Sequence, residues 1–249
     1  MTRKSIGIVF VFSSLVLHSC APVYVPNAHN APLFRRAGEF QTSINFGQGI
    51  DAQGAISITN HIGVAGGYNY VNRNTSDSND DKYIKHSFWE GALGYYGNED
   101  KISYEIFGGY GRGEGTSHGK YSWFGPTELK ATGTYQRFFI QPSIGSNHNI
   151  FNWIVSTRMS LVDFEKFAYD ANIVEYDNPV VFFEPAFTGR VYFGRGSPIY
   201  SQFQTGFSFT TQGDTVFDYQ AFQLSFGIGV RLGRKPKLQV DQAGDYLGN

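Results

Sequence analysis

From Glu39 onward, apolar and polar residues alternate along the chain, which is the pattern of β-strands with one apolar face. Near the C-terminus, Phe222, Leu224 and Phe226 alternate with Gln223 and Ser225. The pattern predicts ten strands and no helix. Their predicted bounds are 39–47, 50–59, 62–73, 84–96, 101–112, 129–145, 150–163, 180–193, 199–211 and 218–232.

Short and long connections alternate between these strands. The four tight connections are 60–61, 97–100, 146–149 and 194–198. The four longer ones are 74–83, 113–128, 164–179 and 212–217, and only the hairpin at 47–49 breaks the rhythm. This asymmetry is typical of outer-membrane barrels, which have short periplasmic turns, longer outer loops and an even strand number. We call the two ends of the barrel the short-turn end and the long-loop end.

Strand length and composition favour the same fold. Most predicted strands run about 12–15 residues, long enough to cross a bilayer at a tilt, whereas soluble strands average about 5–6. The sequence therefore predicts an all-β fold, a single antiparallel up-and-down transmembrane β-barrel of about ten strands spanning 39–233. Charged residues make up only 16% of the chain and the formal net charge is −1. Such a balance argues against a nucleic-acid partner.

The N-terminus has the features of an export signal. Arg3 and Lys4 precede a short apolar stretch that ends near Leu17, and Cys20 is the only cysteine in the chain. The sequence before Cys20 resembles the lipobox of bacterial lipoproteins, although an ordinary signal peptide with an incidental cysteine stays open. The resemblance implies a signal peptide over 1–19 and lipid attachment at Cys20.

The flanking regions complete the predicted topology. Residues 20–38 are expected to form a lipidated, Pro-rich periplasmic tether, and 234–249 a polar periplasmic tail. The expected location is the cell outer membrane, with an integral barrel and the N-terminal lipid in the periplasmic leaflet. Outer-membrane lipid is then one partner, and a larger outer-membrane protein is a candidate second partner.

One stretch carries a family resemblance. Tyr24 to Phe34, followed by Gly38-Glu39 and by Thr59 to Gly63, resembles the start of small outer-membrane β-barrel lipoproteins common in Bacteroidota. The resemblance implies the location and the fold. That family is largely uncharacterised, so it implies no catalytic residue, and no motif in the chain indicates a cofactor or a metal.

Charged residues in mid-strand share one parity, which faces the lumen of a membrane barrel. Hairpin arithmetic from the predicted turns places Arg137 opposite Arg158, and Glu90 diagonal to Glu105. With Glu184 on the next strand, these residues are expected to form one charge cluster that fills the lumen. Arg190 and Arg231 are predicted to be further inward charges.

The sequence favours a side-chain-plugged barrel that is not an enzyme and serves as a structural or accessory subunit of an outer-membrane assembly. Three alternatives stay open. A small-solute channel would run through the charge cluster, and an outer-rim hydrolase would use His86 or His118. The third alternative is a soluble ligand-binding barrel lipoprotein, because a two-faced strand pattern also fits a barrel in water.

Overall fold

A computed structural model of the protein describes residues 22–77, 80–120, 128–170, 172–174, 178–212 and 217–233. The predictions for the signal peptide, for Cys20 and for the tail 234–249 lie outside these residues. Within the described residues, no helix is long and apolar enough to span a membrane.

Ten antiparallel strands form a closed barrel. They are β1 (Phe40–Phe46), β2 (Ile50–Ser57), β3 (Ile62–Asp77), β4 (Asp80–Glu99), β5 (Ile102–Lys120), β6 (Glu128–Ser146), β7 (Phe151–Tyr169), β8 (Val180–Tyr192), β9 (Ile199–Phe207) and β10 (Phe222–Leu232). Each strand pairs with the next, and β1 pairs with β10 from Phe40↔Leu232 to Phe46↔Phe226. Two further strands have two residues each. Asn172–Ile173 pairs with β7, and Phe209–Thr210 pairs with β8. The predicted fold class is confirmed.

The barrel wall is uneven in height. Strands β1 and β2 have 7 and 8 residues, whereas β3 and β4 have 16 and 20. The extra length lies at the long-loop end, where pairing continues to Asp77↔Asp80 and to Lys120↔Glu128. Much of the predicted loops 74–83 and 113–128 is therefore strand. The sequence missed this because apolar alternation weakens where the outward face becomes polar, while the backbone ladder continues.

The outward face carries an apolar band around the whole barrel, and the inward face at the same depth is polar. One exposed apolar residue from each strand in turn is Ile44, Ile50, Tyr70, Leu93, Ile106, Ile140, Val155, Phe187, Phe203 and Phe226. One buried polar residue from each strand is Gln41, Gln53, Asn69, Glu90, Glu105, Arg137, Arg158, Glu184, Gln204 and Arg231. This arrangement is that of a transmembrane barrel.

The residues before β1 lie inside the barrel, which corrects the prediction of a periplasmic tether. Residues 22–34 are all buried, and we call residues 22–38 the lumen segment. The physical reason is visible in the sequence. Residues 20–34 contain no charged side chain but include Val23, Tyr24, Leu33 and Phe34, which a solvated linker would leave exposed to water.

Candidate functional site

The lumen segment enters the barrel at the short-turn end. The Ala37 amide donates a hydrogen bond to Asn60 Oδ1 at 3.0 Å, in the turn between β2 and β3. Asn98 Nδ2, at the end of β4, donates to the Phe34 carbonyl at 3.0 Å. Both partners belong to the short-turn end, so the C-terminal end of the segment lies there.

The segment leaves at the opposite end. The Val23 amide donates to the Asp218 carbonyl at 3.0 Å, and the Gln220 amide donates to the Tyr24 carbonyl at 3.0 Å. Tyr24 and Tyr219 form a parallel bridge. Residues 218–220 connect β9 to β10 at the long-loop end. The segment therefore crosses the full length of the lumen.

At mid-depth the segment does not pair with a strand of the wall. Side chains of the wall form hydrogen bonds with its backbone instead. Gln204 accepts from the His29 amide at 2.7 Å and donates to the His29 carbonyl at 3.1 Å. Gln53 donates to the Ala28 carbonyl at 2.7 Å. Further bonds join the carbonyls of Asn30, Ala31 and Leu33 to Gln141, Arg190 and Arg231. The amide-rich wall thus holds an extended chain.

A buried ion network surrounds one side chain of the segment. Glu90 accepts hydrogen bonds from Arg137 and, at 3.3 Å, from Arg158 Nη2. Asn27 lies between them. Its amide donates to Glu90 Oε1 at 3.0 Å, and its carbonyl oxygen accepts from Arg137 at 2.6 Å and from Arg158 at 3.1 Å. Sequence reasoning placed the three charges in one cluster but missed Asn27.

Glu184 joins this network through Tyr24. The Tyr24 hydroxyl donates to Glu184 Oε1 at 3.0 Å and accepts from Arg137 Nη1 at 3.1 Å. Ser160 donates to the second oxygen of Glu184 at 2.7 Å. Two side chains of the segment, Tyr24 and Asn27, therefore complete a network that was expected to consist of wall residues alone.

Glu105 lies outside the cluster, contrary to expectation. It pairs with Tyr96 in the sheet, whereas Glu90 pairs with Gly111, six residues further along β5. Its carboxylate accepts from the Leu33 amide at 2.7 Å, near the short-turn end. The turn between β4 and β5 is two residues at 100–101 and not 97–100, which moves the register.

Arg137 and Arg158 do not face each other across the sheet. Arg137 pairs with Val162, and Ile140 pairs with Met159. Arg158 instead donates to Gln141 Oε1 at 2.7 Å from Nη2. In both hairpins the register shifts by four residues, an even number, so every side chain keeps its predicted face. Both guanidinium groups still reach Glu90 because arginine is long.

The two further inward charges also contact the segment or its base. Arg190 donates to the Ala31 carbonyl at 3.4 Å. Arg231 forms a buried ion pair with Glu39 at 2.6 Å and donates to the Leu33 carbonyl at 2.8 Å. Glu39 directly follows the segment. Both arginines lie inward, and each donates a hydrogen bond to a carbonyl of the lumen segment.

Above the network, towards the long-loop end, the barrel interior becomes apolar. We call this cluster the long-loop core. It contains Val23, Tyr24, Phe88, Ala131, Tyr135, Val162, Phe164, Phe167, Val180, Phe182 and Phe217. Tyr24 packs on Phe182 with ring centroids 4.8 Å apart, and Phe164 packs on Phe217 at 4.4 Å. The core closes around the outgoing end of the segment.

The histidines of the rim-hydrolase alternative, His86 and His118, lie on the neighbouring strands β4 and β5. His86 is buried in the lumen with Nε2 2.7 Å from the Tyr135 hydroxyl, and His118 stacks on Tyr83. His29 Nδ1 lies 2.8 Å from Ser156 Oγ, but both residues are buried and enclosed. No group of three His, Cys, Asp or Glu residues in the described part of the chain could hold a metal.

The cavity beside the ion network is very small. A cavity lined by Asn30, Glu90, Gln141 and Arg158, among others, has room for about one water molecule. The segment and the wall side chains leave no room there for a solute.

Comparisons with known proteins add no function to the class of protein that the geometry indicates. No family model and no curated protein matches the chain. The translocator domain of autotransporter NalP from Neisseria meningitidis is similar in structure, with TM-score 0.48 and 11% identity over 90% of this chain and 93% of that one. A loop L8 deletion mutant of OmpT, an outer membrane protein of Vibrio cholerae, gives TM-score 0.30 and 10% identity over 78% and 97%. These likenesses are too remote to indicate a function. The closed wall, the outward apolar band and the polar lumen define an outer-membrane type of β-barrel.

Proposed function

We propose that this protein is an outer-membrane barrel that conducts no solute, because its own N-terminal segment fills the lumen, and that it is a structural or accessory component of an outer-membrane assembly. The observation that carries the proposal is the burial of residues 22–34 with their carbonyls bonded to wall side chains. A channel would need that space for water and solute.

The outer-membrane setting is supported by the apolar band. A soluble ligand-binding barrel would expose polar residues on that face and keep an apolar pocket inside, which is the reverse of the arrangement at this depth. We also propose acylation of Cys20, supported by the apolar stretch before it and by the absence of any second cysteine for a disulfide.

Bilayer conductance tests the filled lumen. We expect the intact protein in planar bilayers to stay silent, and a variant lacking residues 22–37 to show steady conductance. Heat-modifiable migration on gels checks that the variant is a folded barrel. If the deletion prevents folding, Tyr24→Ala/Asn27→Ala keeps the chain length, removes two ties and should give brief openings. Steady conductance by the intact protein would refute the proposal.

A small-solute channel is the second candidate, and one observation favours it. The segment is held by hydrogen bonds and side-chain packing, without a covalent tie to the wall. The wall at mid-depth is polar, so withdrawal of the segment would leave an aqueous path lined by Arg137 and Glu105. Such a channel predicts voltage-driven openings in the intact protein. The selectivity of those openings would change in Glu105→Gln.

The accessory role is tested by purification from the native outer membrane in mild detergent. A stoichiometric partner, especially a larger barrel, is the expected result. Lipid attachment is tested separately, by incorporation of an alkyne-labelled fatty acid into the intact protein and its loss in Cys20→Ala.

A further inference from the structure

The direction in which the segment crosses the lumen has a topological consequence. We infer that the barrel carries its own N-terminal chain across the membrane and displays the residues before Pro22 on the outer side. The described part of the chain therefore crosses the bilayer eleven times, ten times as strand and once as an extended segment enclosed by those strands.

The segment is long enough for this crossing. About 16 extended residues span about 50 Å, more than the hydrocarbon core of about 30 Å. Its two ends are fixed at opposite ends of the barrel, by Asn60 and Asn98 at one end and by Asp218 and Gln220 at the other. The path is a complete crossing and not a loop that returns to the side where it began.

The exit is shaped for the chain. The interior at the long-loop end closes on Val23, and a Cβ at Gly115 would lie 2.2 Å from the Val23 carbonyl oxygen. Only glycine at this position of β5 lets the two backbones approach so closely. The wall at the exit therefore packs closely around the backbone of the segment.

The long-loop end is the end that projects into water. Beyond the apolar band, the outward face of β5 and β7 carries Arg112 and Glu165, which form an exposed ion pair at 2.5 Å. Strands β4 to β7 continue past this pair. In outer-membrane barrels the longer loops face the exterior and the short turns face the periplasm. The outgoing chain thus emerges on the exterior.

The inference changes the expected position of the lipid. Cys20 lies outside the described residues, but two residues of chain reach at most about 7 Å, and Pro22 is at the long-loop end. A lipid on Cys20 would then lie on the outer side of the outer membrane, whereas the sequence suggested the periplasmic leaflet. This last step rests on the proposed acylation of Cys20; the display of the chain does not.

Accessibility of a short epitope tag on intact cells tests the display. One variant carries the tag between Ala21 and Pro22. The matched control carries it directly after Gly233, which follows β10 at the short-turn end. Only the heat-modifiable species of each variant is counted, so that unfolded protein does not contribute. A third variant, tagged between Lys120 and Glu128, reports the side on which the long loops lie.

We expect antibody to bind the tag before Pro22 and the tag after Lys120 on intact cells, and to bind the tag after Gly233 only when cells are permeabilised. Every other pattern overturns the inference. Equal accessibility of the tag before Pro22 and the tag after Gly233 would place both tags on one side of the membrane, and the segment would not cross. The reverse pattern would place the long-loop end in the periplasm.

A protease site in place of the first tag extends the test to the lipid. Protease added to intact cells should separate the fatty-acid label from the barrel, and the label retained on the barrel would overturn the position of Cys20 on the outer side. This experiment does not depend on conductance. A silent barrel with an inaccessible N-terminus would keep the filled lumen and reject the display.

Discussion

The barrel interior consists of two regions with opposite chemistry. At the depth of the apolar band, the wall is apolar outside and holds Glu90, Arg137 and Arg158 inside. In the long-loop core, β6 and β7 are polar outside, at Gln136 and Asp163, and place Tyr135 and Phe164 inside. Inward parity is the same in both regions up to a bulge in β7, beyond which it changes on that strand. What changes is the medium around the wall, lipid in one region and water in the other.

The difference shows that the medium around the barrel decides which face of the wall is apolar and which is polar. In lipid, the outer face must be apolar, and a polar interior is stable because the segment and the side chains satisfy one another. In water, the interior must supply the hydrophobic burial itself. A bulge within the long-loop core, where pairing shifts at Thr134/Tyr135, leaves Glu165 without a partner residue on β6 and lets both Phe164 and Phe167 point inward.

The largest expected effect is in the polar region. Glu90→Gln removes the carboxylate that two buried arginines share, and we expect a loss of about 3–5 kcal/mol in the free energy of unfolding. Glu165→Gln breaks only the exposed pair with Arg112 and should cost less than about 1 kcal/mol. Denaturant titrations of both variants in the same lipid measure the difference. Equal losses would mean that the network contributes no more than a surface pair.

The apolar region should respond to a cavity. Phe164→Ala removes a ring packed on Tyr135, Phe167 and Phe217, with an expected cost of about 3–4 kcal/mol. Hydrogen exchange should increase near the long-loop end and stay unchanged around Glu105. Phe209→Ala, at an exposed position, is the control and should give a smaller loss. Increased exchange throughout the barrel would show that the two regions are one unit.

The boundary between the regions can be located from outside on one strand. Ile140 and Thr132 lie on the outward face of β6, eight residues apart and both exposed. Ile140→Lys should cost about 2–4 kcal/mol if that position faces lipid. Thr132→Lys should change the free energy of unfolding by no more than about 0.5 kcal/mol. A similar cost at both positions would place the membrane higher on the wall.

Tyr24 belongs to both regions, and its two parts can be separated. Tyr24→Phe keeps the ring among Phe182 and Tyr135 but removes the hydroxyl that links Arg137 to Glu184. We expect a loss of about 1–2 kcal/mol, since Glu184 and Arg137 each lose one buried hydrogen bond. Tyr24→Ala should cost more, because the ring is also lost. If Tyr24→Phe were neutral, Glu184 would be independent of the network.

Much of the wall could be predicted from the sequence, because alternation fixes which face each residue occupies. The charges at Glu90, Arg137, Arg158 and Glu184 were assigned to the lumen on that basis. Register was not predictable, because polar turns of slightly different length fit the same alternation. The errors at Glu105 and between Arg137 and Arg158 both have this origin.

The lumen segment could not be found by periodicity, because an extended chain enclosed by side chains has no period of its own. Two signals did exist. One is the uncharged, partly apolar composition of residues 20–34, which does not suit a solvated linker. The other is the excess of amides on the inward parity, such as Gln53, Gln141 and Gln204. Amides both donate and accept, and they are needed where a backbone without strand neighbours must be satisfied.

Residues 22–38 directly precede β1, and this order constrains how the barrel assembles. The lumen holds one extended chain. A chain with bulky residues or a lipid upstream of Pro22 therefore cannot be pulled through the closed barrel. We therefore expect the segment to lie on the open sheet before β1 pairs with β10. That pairing, seven residue pairs from Phe40↔Leu232 to Phe46↔Phe226, is then the closing step. The segment would then already lie inside the sheet when its two edges meet.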